Sequence, residues 1–156
     1  EVMEASQGTF ISSTFFTERV AFAAVLKNVE LYQKYKVWEK QIEYGEMVQN
    51  GWKEKAEKNG LEIEVGGISP LGHFTIIGRE SGLVYKTFFV QEMLKRGYIA
   101  SNAFYTSYAH SPEVIKEYLE NVDEVFRSIA DIEAIGKKVE ACLEGPVCHS
   151  GFGRLN

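Results

Sequence analysis

Ser111-Pro112-Glu113 and the apolar stripe behind it constrain the fold more than any other stretch. A serine cap, a proline at the first helical position and an acid in the first turn together specify a helix start. Ile115, Tyr118, Leu119, Val122, Val125, Phe126 and Ile129 then repeat at the helical period for about four turns. A one-sided helix of that length has to lie on a second layer.

The rest of the chain supplies that layer. Helical spacing begins at Thr17, with Ser13, Thr14 or Thr17 as possible caps and Phe22, Val25, Leu26 and Val29 on one side. A second helix is expected over Val37 to Asn59, ended by Gly60, with Trp38, Ile42, Gly45, Val48, Gln49, Trp52 and Ala56 on one face. Glu62 to Val65 alternates as a strand that stops at Gly66-Gly67, and His73 to Gly78 reads as a second strand after the Pro70 turn. Leu83 to Arg96 is helical and stops at Gly97. Tyr98 to Ser101 reads as a third strand and Phe104 to Ala109 as an extended aromatic segment. A last short helix reaches Leu143, followed by an irregular tail. The order predicts an α+β domain: a small, mostly antiparallel sheet with helices on one face.

At 156 residues and 45% hydrophobic, the chain can bury one core. A net charge of −5 argues against a nucleic-acid surface, which needs clustered cations. No apolar run is long enough to span a bilayer, so no membrane partner is expected, and the first residues lack a signal peptide's basic and apolar regions. Cys142 and Cys148 do not make a disulfide framework, and a reducing cytoplasm is the expected setting. With His149 they form a C-x5-C-H run that fits none of the common structural zinc patterns, so no metal is expected.

Clustered hydroxyls at Ser12-Ser13-Thr14, ahead of a helix, suit either an anion-binding turn or ordinary capping. His110 suits either acid–base work or a structural role ahead of its helix. No residue stands out as a catalytic nucleophile or general acid. The chain opens on Glu1 rather than on methionine, in polar, helix-like sequence, which leads us to expect further sequence upstream.

Three segments carry a resemblance. Phe10-Ile-Ser-Ser-Thr14-Phe-Phe-Thr-Glu-Arg-Val20-Ala-Phe-Ala-Ala24 is the first. Arg96-Gly-Tyr-Ile-Ala-Ser101 with Phe104, Ser107-Tyr-Ala-His110-Ser and Val114-Ile115 is the second. The third is the tail Gly145-Pro-Val-Cys-His-Ser150-Gly-Phe-Gly-Arg-Leu155. In this order they resemble the C-terminal part of class III, fold-type I pyridoxal-phosphate (PLP) aminotransferases, most closely the glutamate-1-semialdehyde aminomutase-like branch. The resemblance implies an interface segment over residues 1–16 and a small α+β domain over 17–156. It also implies partners: a large PLP-binding domain of the same chain, a homodimer partner and a small amino or carbonyl substrate.

By the same resemblance Thr14, with Ser13 beside it, reaches the phosphate of the partner subunit's cofactor. Tyr105 and Arg19 lie on the substrate side. Tyr105 stands where the aminomutase has a glutamate, and Glu18-Arg19 replaces an Asn-Pro common in class III. Both departures point away from the strict aminomutase reaction. Arg19 suits either a bidentate clamp on a substrate carboxylate or a salt bridge on the helix surface. The family's Schiff-base lysine lies upstream of the threonine segment, and none of the residues before Thr14 is lysine. The chain alone is therefore expected to be inactive. The rival expectation is a free-standing α+β module that binds a ligand or partner without catalysis.

Overall fold

The structure, a computed structural model, describes residues 18–151. Ser13 and Thr14 lie outside the described residues. The chain divides into two compact units, Glu1–Val37 and Trp38–Asn156.

In the first unit, helix α1 covers Arg19–Lys34. It begins with Glu18 at the cap, whose side chain makes no capping bond, so the helix starts just after the predicted Thr17.

The second unit is α+β. Helix α2 (Val37–Lys58) leads through Gly60, at φ +69, into strand β1 (Glu62–Ile68). Then come β2 (Leu71–Ile77), α3 (Gly82–Lys95), β3 (Ala103–Tyr105), α4 (Pro112–Ala134) and a 3-10 turn at Glu140–Cys142. The sheet has the order β1-β2-β3 and is antiparallel throughout. Ser111 caps α4 by accepting from the Val114 N–H at 3.4 Å, with Pro112 opening the helix as its sequence predicts.

Strand β2 is buried at every second residue, Gly72, Phe74 and Ile76, and open at the others. Phe74 is the hub of the core. Its ring meets Trp52 of α2 at 4.9 Å, Phe89 of α3 at 5.1 Å and Phe126 of α4 at 5.5 Å, each nearly edge-on. One side chain of the sheet thus gathers three helices on one face, while Ile68, Leu71, Ile77 and Tyr105 of the other face are exposed. Trp52 also donates from Nε1 to the Tyr118 hydroxyl at 3.1 Å, so the buried indole N–H is satisfied.

Close approach, by backbone at one and by a side chain at the other, explains two glycines. A Cβ on Gly45 would sit 1.7 Å from the Ser69 carbonyl oxygen, so α2 lies directly on the β1–β2 turn. A Cβ on Gly66 would sit 2.9 Å from Nε2 of His73, whose ring rests on that glycine. Gly66-Gly67 therefore does not end β1 as predicted; the strand runs through to Ile68. Beyond α3, the tail 144–148 follows that helix. Glu144 N–H donates to Gln91 Oε1 at 2.7 Å, Cys148 N–H to Thr87 Oγ1 at 3.0 Å, and Lys95 pairs with Glu144.

Candidate functional site

The segment between α3 and α4 carries most of the second of the three resembling stretches, and its geometry is fixed by hydrogen bonds. Gly97 turns the chain at φ +87. Tyr98 then donates to Glu117 Oε1 at 3.1 Å and accepts from Asn121 Nδ2 at 3.3 Å. The predicted strand at Tyr98–Ser101 is thus an extended linker held against α4. The third strand is Ala103–Tyr105 instead. Just ahead of it, Asn102 doubles the ladder: its carbonyl accepts from the Phe74 N–H and its side-chain amide donates to the Phe74 carbonyl, each at 2.9 Å.

Thr106, buried, sends both its N–H (3.0 Å) and its hydroxyl (3.1 Å) to the Pro70 carbonyl. Gln41 of α2 donates to the Thr106 carbonyl at 3.3 Å. The loop is thereby tied to the β1–β2 turn. The Ser107–His110 turn closes on itself: His110 Nδ1 accepts from the Ser107 N–H at 3.1 Å, which places the proton of a neutral imidazole on Nε2. The ring packs against Phe104 at 5.1 Å. These contacts give His110 a structural role, closing the turn ahead of α4.

A cleft of about 410 Å³ opens beside this segment, lined by Tyr98, Ser101, Phe104, Tyr105, His110 and Tyr118 among others. Its walls are aromatic and its polar groups are few, the usual balance of a small-molecule pocket. The Tyr118 hydroxyl is taken by Trp52, and burial pushes that phenol well above its ordinary value. The cleft can bind and orient a ligand. Its one hydroxyl bonded to a carboxylate is that of Tyr98, held by Glu117.

Tyr105 stands at the rim of that cleft and on the open face of the sheet. The register pairs Ile68 with Leu71 and Leu71 with Tyr105, so these three side chains form one row across the strands. His73 pairs with Gly66 on one side and Ala103 on the other, in the next row of the same face. Of the residues expected to form a site, Tyr105 lies exposed on this face. Arg19 is the first residue of α1 in the other unit, and Ser13 and Thr14 lie outside the described residues. Leu71 and Ile68 join Tyr105 only through the strand register, which the sequence alone does not give.

Lysines and metal ligands complete the inventory. Lys40, Lys55 and Lys95 are all shifted upward, each first by a hydrogen bond from its own ammonium, to Glu43, Glu54 and Glu144 respectively. A lysine that forms a Schiff base needs the opposite shift. Among the described residues no group of three or more His, Cys, Asp or Glu is placed to hold a metal ion, and no helix is long and apolar enough to cross a membrane.

No family model matches the chain, and no curated protein does. Among solved structures, the chain is similar to the Sphingopyxis sp. MTA144 FumI protein in its PLP internal aldimine form. The TM-score is 0.69 at 18% identity, over 90% of this chain and 34% of that one. The chain thus spans about a third of the length of that protein, and at this identity the likeness shows the fold.

Proposed function

We propose that this chain is the C-terminal small domain of a PLP-dependent, class III aminotransferase of the glutamate-1-semialdehyde aminomutase-like branch. The observation that carries the reading is the shared fold. It extends over nearly the whole chain, and the matching protein is one solved with PLP. The segments around Thr14, Phe104 and His110 support it independently.

The described residues do not fit the cofactor by themselves. Their shifted lysines are ion-paired and held protonated, and the cleft beside β3 is lined by rings rather than by the N–H groups and cations that bind phosphate. The Schiff-base lysine and the phosphate loop would belong to a large domain upstream, and the isolated chain would be inactive. PLP, when bound there, would carry the amino group from a donor to a carbonyl acceptor.

This chain's own share is binding and enclosure. Thr14, with Ser13, would donate a hydroxyl to the phosphate of the partner subunit's cofactor. Arg19 would meet a substrate carboxylate, and Tyr105 would line the substrate side as the domain closes and excludes water. The strict aminomutase reaction is disfavoured by Tyr105 itself, and the setting would be the cytoplasm. Titrating PLP into the full-length protein tests the phosphate contact. Thr14→Ala should weaken binding by about 1–3 kcal/mol, the cost of a lost hydrogen bond to a charged group. Unchanged affinity would remove Thr14 from the site.

A further inference from the structure

We propose that Thr106 and Gln41 are positioning residues: through the joint they clamp, they hold Tyr105 in place on the substrate side. The inference rests on the aminotransferase reading above, which sets Tyr105 there, and adds what fixes that residue.

Strand β3 is three residues long, and Tyr105 is its last. In an antiparallel ladder only every second pair exchanges hydrogen bonds. The bonded positions here fall at Asn102, which accepts from the Phe74 N–H, and at Thr106, whose N–H donates to the Pro70 carbonyl. Tyr105 stands between them, opposite Leu71, at a pair that exchanges none. Its side chain is 73% exposed, so packing does not hold it either. The place of Tyr105 is therefore set by the bonds of the residue that follows it.

That joint would be weak in an ordinary ladder. Pro70 has no N–H and cannot return the second bond to the Thr106 carbonyl. Two side chains make up the loss. Gln41 Nε2 donates to that carbonyl at 3.3 Å, in place of the missing N–H. The Thr106 hydroxyl adds a second bond to the Pro70 carbonyl at 3.1 Å. Gln41 reaches the joint because Gly45, one turn further along the same face of α2, lets the helix rest on the Ser69 carbonyl. Thr106 is buried where Tyr105 is open, on the opposite side of the strand, so it acts on a ligand at Tyr105 only through Tyr105.

The test uses the full-length protein loaded with PLP. The standard amino acids, and straight-chain primary amines from ethylamine to hexylamine, are offered as amino donors. The donor that bleaches the cofactor's visible band fastest is then used for kinetics. We expect Thr106→Val, which keeps the shape and removes the hydroxyl, to lower kcat/KM severalfold, up to roughly tenfold, mainly through KM. Thr106→Ser should restore it, and Gln41→Leu should behave as Thr106→Val does. In a Tyr105→Ala background the loss from either variant should vanish, which a general loosening of the fold would not produce. Should Thr106→Val fail to fold, Gln41→Leu carries the same comparison. Unchanged kcat/KM in the variants, an equal loss in the Tyr105→Ala background, or a Tyr105→Ala protein as active as the native one would overturn the inference while leaving the aminotransferase reading in place. No cofactor band, or a band that no donor bleaches, would overturn both.

Discussion

Asp123 shows at the scale of one residue how the domain handles a buried charge. It is nearly enclosed, yet it takes Lys58 Nζ at 2.5 Å, Asn59 Nδ2 at 2.8 Å and Arg127 at 3.3 Å. Burial opposes its ionisation, but the bonds from Lys58 and Asn59 prevail and hold the carboxyl below its ordinary range. A depressed folded pKa gives stability that is fully present above the unfolded value near pH 4 and lost as pH falls through the folded one. Asp123→Ala should therefore cost about 1–3 kcal/mol in urea unfolding at pH 7, with the difference shrinking in acid. Equal costs at pH 7 and in strong acid would contradict this. Phe74 is the apolar counterpart. Phe74→Ala empties the contact shared by three helices and should cost about 3–5 kcal/mol in the same assay.

At the scale of elements, Gly45 and Glu80 hold the joints. Any side chain on Gly45 strikes a backbone carbonyl of the β1–β2 turn, so Gly45→Ala must push α2 off the sheet. A loss of about 1–3 kcal/mol is expected. Gly51→Ala should be milder, because its obstacle is only the Leu119 side chain, which can turn away. The Glu80 carboxylate accepts from the N–H groups of Val139 (2.5 Å) and Glu140 (3.2 Å), at the start of the 3-10 turn. Glu80→Ala should speed amide exchange at these two positions and leave α4 protected.

The elements also show what the sequence made legible. The helix from Pro112 announced itself by cap, proline and period, and the β1–β2 hairpin by alternation around Pro70. Gly66-Gly67 misled, because glycine usually interrupts a strand. Here it persists in one, since His73 from the neighbouring strand fills the room above it. The third strand was misplaced by a few residues. Tyr98 and Ala100 alternate well enough for a strand, but the tyrosine hydroxyl is claimed by Glu117 and Asn121 on α4, and Asn102 makes the first bonds to β2. Tyr105 was legible as a candidate through its motif. Its neighbours Ile68 and Leu71 were not, because they join it only through register.

At the scale of the whole molecule, the described residues beyond α1 build one core, an open sheet face and an aromatic cleft. The fold is similar to about a third of a protein solved with PLP. The most direct measurement is to fix PLP onto the full-length protein with borohydride and map the labelled peptide by mass spectrometry. The account predicts a single labelled lysine upstream of Glu1 and none within residues 18–151. A label on Lys40, Lys55, Lys86 or any other lysine of this chain, or no label anywhere, would contradict it.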